Sequence, residues 1–252
     1  MPAPTQKQTE QARGATPEGA PDERSAAIAV QHMFDEISPR YDLLNHVLSM
    51  NVDRLWWWRT ARTFRPLLRT VGIRALDLCC GTGDMARALR KQSSRATIIG
   101  ADFSRGMLGR GKAKFQKQRV AAVQADALEL PFSDQSFDLV VSAFGFRNLA
   151  NYDAGLREIH RVLRPGGELG ILDFSEPGGL LGKLYGFYFR NVLPKIGTMI
   201  SGVRGPYSYL PASVARFPSP EEMLERMRMV GYRSVAWQPY TFGIAGLYRG
   251  KK

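Results

Sequence analysis

The chain reads as an α/β protein on a seven-stranded, mostly parallel sheet with its last strand antiparallel. Three observations predict this. Beyond Gly72, short β-branched runs alternate with helix-period segments, the pattern of repeated strand–helix–strand units. A glycine loop, DLCCGTGD at 77–84, joins the first such run to a helix-like stretch. Two strand-like runs near the C-terminus are separated only by a turn, too short for a crossover, so they must run antiparallel.

Each element follows in order. Residues 1–27 are rich in Pro, Ala, Gln, Thr and Gly and are expected to form a disordered tail. They contain no apolar stretch of the secretory kind. One domain then spans 28–252. It opens with a helical, aromatic-rich cap at 28–70, interrupted near Pro39. Strands are predicted at 73–78, 96–102, 120–126, 136–144, 167–174, 232–240 and 242–250. Helices are predicted at 84–92, 104–118 and 152–163. A further helix precedes the final pair of strands, with Ser219 as N-cap, Glu222 three residues on, and Gly231 as C-cap. Between the fifth and sixth strands lies an insertion, 176–218.

Composition bounds the function. A chain of 252 residues, 44% of them hydrophobic, supports one sizeable core. Its two cysteines, Cys79 and Cys80, are adjacent, so no disulfide framework exists and a reducing, cytoplasmic location fits. They are too few for a structural zinc site, and no metal is required. No run of 18 apolar residues is present to span a bilayer. The net charge of +12 and pI of about 10 point to an anionic partner or to a merely basic enzyme.

The glycine loop admits two cofactors. Gly81, Gly83 and Ala86 match the dinucleotide pattern G-x-G-x-x-G/A, and Asp102 follows at ribose-binding distance. Charge favours another ligand. A pyrophosphate at a helix N-terminus is held by bare amides, whereas here Asp77 and Asp84 flank the loop and would repel it. S-adenosylmethionine has no phosphate and carries a cationic sulfonium and amino group, which an acid-flanked loop suits. Its site would comprise Asp77, Gly81, Thr82 and Gly83, with Asp102 accepting the ribose hydroxyls. Asp126 and Ala127 would lie by the adenine, and Ser142 would end the fourth strand beside the loop. A simpler reading makes Asp77 a brace for the loop and Asp84 a complement to the helix dipole.

These features make the chain resemble a Rossmann-like class I S-adenosylmethionine-dependent methyltransferase. More narrowly, five stretches resemble the ubiquinone/menaquinone biosynthesis C-methyltransferases: 34–56, 76–86, FGFRNLAN at 144–151, 157–175 and YSYLPASVARFP at 207–218. The chain departs from the usual patterns at Cys79, where the commoner loop has glycine, and at Leu44 and Asp53. The cysteine pair is closer to menaquinone-pathway members. The resemblance implies C-methylation of a reduced polyprenyl quinone, demethylmenaquinol to menaquinol, with the equivalent benzoquinol step of ubiquinone synthesis as a second option.

In such a reaction a quinol hydroxyl loses its proton, and the phenolate makes the ortho carbon nucleophilic. Arg147 and Asn148 are the catalytic candidates. Arg147 would stabilise the quinolate or order a proton-accepting water, since a guanidinium is no base. Asn148 would hydrogen-bond the quinol oxygen or that water. The plainer alternatives are a surface ion pair for Arg147 and a helix cap for Asn148. His32, His46 and His160 are other candidate bases, Tyr41, Asp42 and Asn45 could line the ring pocket, and Trp56–Trp58 read as cap packing.

Rival functions are methylation of another small molecule, such as a sterol or phenol, or of RNA. A nicotinamide dehydrogenase is a third. RNA would explain the charge, but the Asn/Asp-Pro-Pro-aromatic segment for base amino groups is absent and no RNA-binding module is visible. The expected partners are thus a polyprenyl quinol and an anionic membrane touched peripherally from the inner face. A homodimer remains open, and no nucleic acid is expected. The membrane expectation rests on the stretch between Pro177 and Pro220, where Lys183, Arg190, Lys195, Arg204 and Arg216 lie among aromatic residues without one acidic side chain.

Overall fold

The computed structural model describes residues 14, 15, 17, 20, 22–38, 51–175, 177 and 206–252. Most of the insertion and the candidates Tyr41, Asp42, Asn45 and His46 fall outside them. The sheet has seven strands: β1 (Arg74–Leu78), β2 (Thr97–Asp102), β3 (Ala121–Gln124), β4 (Phe137–Ala143), β5 (Leu163–Phe174), β6 (Arg233–Tyr240) and β7 (Ala245–Lys251). Their order is β3-β2-β1-β4-β5-β7-β6. The pairs from β3 to β5 are parallel, and β7 runs antiparallel to both β5 and β6. The expected architecture is therefore present, with β7 inserted between β5 and β6.

Eight helices occur among the described residues: α1 (Glu23–Ile37), α2 (Val52–Thr63), α3 (Arg65–Leu68), α4 (Asp84–Gln92), α5 (Arg105–Gln118), α6 (Tyr152–Val162), α7 (Pro206–Arg216) and α8 (Pro220–Val230). Two apolar clusters sandwich the sheet. One packs α6 and α8 through Leu156, Ile159, Met223 and Met227. The other packs α2 to α5 through Trp56, Phe64, Leu89 and Phe115. The α8 caps match the sequence: Ser219 forms a capping box with Glu222, and Gly231 closes the helix at φ 111°.

Three expectations need correction. Order begins before residue 28: Asp22 caps α1 by accepting from the Ser25 amide, so helix starts at Glu23. Further back, the Ala15 amide donates to the Leu149 carbonyl at 2.7 Å. The fifth strand, expected to start at 167, begins at Leu163, and the Pro165, Gly166 and Gly167 run lies inside it as an irregularity where the register slips between Phe137 and Leu139. Gly166 absorbs it at φ 79°. The three tryptophans do not act as one packing unit: Trp56 is buried, Trp57 lines a cleft and Trp58 is exposed.

Candidate active site

The site lies where the chain order reverses, outside the carboxyl ends of β1 and β4, where open α/β sheets bind ligands. Both strands leave the sheet through a left-handed residue, Cys79 at φ 55° and Phe144 at φ 59°. Cys79 thus adopts the conformation that explains glycine at this position in the commoner loop. Its side chain has room because residue 145 is glycine: a Cβ there would lie 2.2 Å from the Cys79 Cβ. Gly81 and Gly83 are also left-handed, and a Cβ on Gly83 would strike the Phe115 ring.

Two clefts meet at Cys79, Gly81, Ala143 and Phe144. The larger holds Asp102, Asp126, Ala127 and Asn148, and the smaller holds Thr82 and Asp84. Most of the residues chosen from sequence are therefore brought together. Asp77, Gly83 and Ser142 do not line either cleft. Ser142 and Asp77 are fully buried in adjacent strands; among the described residues the Ser142 hydroxyl and both Asp77 oxygens lack a hydrogen bond of good geometry, although the Ala86 amide lies close enough to Asp77 to temper its rise. Burial drives the Asp77 carboxyl well above the usual carboxylate range, and the charges of Asp102 and Asp84 add to the rise.

Asp102 does more than the sequence implied. One oxygen accepts from the Gly81 amide at 2.7 Å and the other from the Ser104 amide at 2.8 Å. The carboxylate ties the glycine loop to the turn after β2. Burial raises it to about 6 despite these amides, and Asp35 contributes to the rise. Asp126 accepts from the Leu128 amide at 2.9 Å and so shapes the turn after β3. Lys114 bonds to both Thr82 and Asp84 at 3.0 Å, fixing the start of α4. Burial also pushes both cysteine thiols up, which favours their protonated form.

The FGFRNLAN segment forms a short 3-10 turn, Phe146–Asn148. Arg147 is in an ion pair, as the plainer reading held, but a buried one. Its Nη1 lies 2.9 Å from Asp173 Oδ1, and its amide donates to Oδ2 at 3.1 Å. Nη1 also meets the Phe144 carbonyl, and the guanidinium sits 5.3 Å over the Phe174 ring. Arg147 does not line either cleft. Asn148 does, and its Oδ1 accepts from the Tyr209 hydroxyl of α7 at 3.2 Å. The helix cap is Asn151, not Asn148. Burial pushes the Tyr209 phenol up to about 12. Of the histidines, His32 is exposed on α1 and His160 packs edge-on against Tyr232, outside both clefts.

Sequence reasoning missed Asp173, Tyr209 and the part played by α1. The α1 residues Ala27, Val30, Gln31 and Phe34 wall the larger cleft. Gln31 donates to the Phe103 carbonyl at 3.0 Å, and Asp35 accepts from the Ser104 hydroxyl and the Gly106 amide. For Asp173 and Tyr209 the only signal was that both lie in family-like stretches.

The donor set discriminates between ligands. Among the described residues, the two cleft linings include Asp84, Asp102 and Asp126 and no Lys, Arg or His. With Asp84 paired to Lys114, Asp102 and Asp126 are the acids left in the linings, and they suit a ligand with a sulfonium and an ammonium better than a pyrophosphate.

Comparison with known proteins agrees. The profile of the ubiE/COQ5 methyltransferase family matches residues 20–252. A demethylmenaquinone methyltransferase of Deinococcus radiodurans is 46% identical over 234 residues, 92% of this chain and 95% of that one. One from Thermus thermophilus is 45% identical over 223 residues, 87% of this chain and all of its own. A ubiquinone/menaquinone biosynthesis C-methyltransferase UbiE of Geobacter sulfurreducens is 43% identical, covering 88% of each chain. Among solved structures, a SAM-dependent methyltransferase from Thermotoga maritima aligns with a TM-score of 0.62 at 21% identity, over 88% of this chain and 99% of that one. That likeness shows the fold alone.

Proposed function

The chain belongs to the ubiE/COQ5 methyltransferase family, and from that premise we propose that it methylates a ring carbon of demethylmenaquinol. It is an S-adenosylmethionine-dependent enzyme of the class I fold. The cofactor, when bound, supplies an electrophilic methyl group on its sulfonium. The observation that carries the reading is the placement of Asn148 in the lining shared with Asp102 and Asp126, directly after β4.

The residues divide the work as follows. Asp102 accepts the ribose hydroxyls with the lone pairs its two amide bonds leave, and Asp126 and Ala127 flank the adenine. Gly81 lets the backbone approach, with Thr82 and Asp84 beside the aminoacyl end. Asp77, Gly83 and Ser142 act from beneath the loop. Tyr209 occupies the Asn148 carbonyl oxygen, which leaves the Asn148 NH2 as its donor. A fixed donor beside a quinol oxygen favours the phenolate and so raises carbon nucleophilicity. Arg147, clamped by Asp173 behind the turn, adds positive charge partly offset by its partner.

The test is methyl transfer to a short-tailed demethylnaphthoquinol, with the product located by mass spectrometry. Methylation at ring carbon is expected. Product carrying the methyl on oxygen, or none at all, would overturn the reading. A benzoquinol substrate run in parallel separates the menaquinone step from the ubiquinone one.

A further inference from the structure

The positive charge of the chain is not spread evenly. The layer α2 to α5, on one face of the sheet, carries twelve Lys or Arg and two acidic residues. Those two are Asp53, which is buried, and Asp84, which is paired with Lys114. On the other face, α6 and α8 carry four arginines and five acidic residues. Three of those arginines pair with acids of their own layer: Arg161 with Glu158, Arg226 with Asp153 and Arg228 with Glu225. Among the described helices, α2 to α5 thus form a cationic plane, whereas α6 and α8 are close to neutral.

At the carboxyl edge of the sheet the cationic plane also exposes large apolar side chains. Leu55 and Trp58 on α2 are 48% and 44% exposed, and Phe242 is 83% exposed. The intervening Trp56 shows how they are held. It turns inward, 5.7 Å from Phe144 and 6.0 Å from Phe174, and its indole N–H donates to the Thr241 hydroxyl at 2.8 Å. Helix α2 and the turn Thr241–Gly243 are thereby locked together beside the active site. Phe242 stands at φ 58°, a left-handed backbone that bulky residues rarely adopt, and that turn leaves the ring in solvent. Arg54 and Arg62 are exposed on the same helix, and Trp57 of that helix lines the smaller cleft.

We propose that this edge is a docking surface for an anionic lipid bilayer, with Leu55, Trp58 and Phe242 entering the interface and Arg54 and Arg62 meeting the headgroups. The occupant follows from charge complementarity together with the exposed apolar side chains, the combination that interfacial segments use. A nucleic acid would match the arginines but leave Leu55 and Phe242 without a purpose. No helix among the described residues is long and apolar enough to cross a membrane, so attachment through this edge is peripheral. The surface rests on the quinol reading above: a prenyl tail could stay in the bilayer while its ring reaches the cleft behind α2.

Co-sedimentation with vesicles of phosphatidylglycerol and phosphatidylcholine tests it, beside vesicles of phosphatidylcholine alone. Wild type should partition onto the anionic vesicles and lose binding as salt rises. Arg54→Glu with Arg62→Glu should lower the partition coefficient by at least about 25-fold, about fivefold for each charge removed. Phe242→Ser should lower it by about tenfold or more, from the apolar area withdrawn. All variants should keep the far-UV spectrum and wild-type turnover of a short-tailed quinol, since none of these residues is in the site. Variants that sediment like wild type would overturn the surface. So would a wild type that ignores vesicles but shifts RNA in a salt-dependent gel assay. Failure of wild type to methylate the soluble quinol would instead sink the function, whatever the vesicles show.

Discussion

Replacing Asp102 by asparagine should separate folding stability from cofactor binding. The carboxyl is raised from 3.8 to about 6, so its ionised form is disfavoured in the folded protein. At about 1.4 kcal/mol per unit, ionisation at pH 7 costs the apo fold up to about 3 kcal/mol. That figure is an upper one, because the carboxyl still opens on the cleft. The cost is absent below about pH 4 and complete above about pH 6, so this group makes the apo fold less stable as pH rises through that window. Asparagine removes the charge, but it also turns one of the two acceptors for the Gly81 and Ser104 amides into a donor. These effects oppose each other, so the apo Tm of Asp102→Asn at pH 7 should lie within a few degrees of wild type. Binding has no such compensation. Loss of at least one charged hydrogen bond to the ribose diol, about 1.5–3 kcal/mol, should weaken S-adenosylmethionine by roughly 10- to 150-fold. The same logic makes wild-type affinity fall as pH drops through about 6, while the variant's stays flat. Calorimetric titrations at pH 5 and 7.5 beside thermal melts decide it. Equal affinity for both proteins, or a pH-independent wild type, would refute the placement of Asp102 at the ribose.

Three further changes probe the site. Asn148→Ala, which removes the donor in the cleft, should cut kcat by about 10²–10³ while cofactor affinity stays near wild type, read from single-turnover kinetics beside titration; normal turnover would remove Asn148 from the mechanism. Asp173→Asn leaves the Arg147 guanidinium buried against a neutral partner, a loss of about 3–5 kcal/mol that should lower Tm by on the order of 10 °C. Gly145→Ala forces a Cβ into the Cys79 side chain and should cost about 1–3 kcal/mol. Adding Cys79→Gly removes the obstructing atoms and should restore most of that stability, so a double-mutant cycle showing no coupling would contradict the packing.

The alternation of β-branched and helix-period segments, and the glycine loop, are local patterns, so fold class and cofactor loop were legible in the residues themselves. Ser219, Glu222 and Gly231 marked the ends of α8 because caps depend on a few neighbouring side chains. The position of Asp102 at the mouth of the cleft was legible because it ends a strand a fixed distance beyond the loop. The irregularity within β5 was not, since a Pro-Gly-Gly sequence suits a turn as well as a bulge, and only pairing with β4 chooses between them. Nor was the start of α1 read: Asp22 is a local cap signal, but it sits in a polar, proline-bearing segment, and the helix it opens docks Gln31 and Asp35 onto a turn some 70 residues away.

The sequence by itself determined which chemical groups could meet at the carboxyl edge, because strand order along the chain delivers 77–84, 102, 126 and 147–148 to the same end of a parallel sheet. Only the tertiary structure decided what each group does there. Arg147 reads in sequence as a quinolate stabiliser or a surface ion-pair partner, but Asp173 lies 26 residues further on and clamps it, buried, beneath the turn. Asn148 faces the cleft and is oriented by Tyr209 from another helix. The run Trp56–Trp58 is three identical letters, yet one ring enters the core, one lines the cleft and one meets solvent. The reason is physical: hydrogen bonds, burial and charge pairing depend on distance in space, and residues far apart in the chain set that distance only once the sheet has formed.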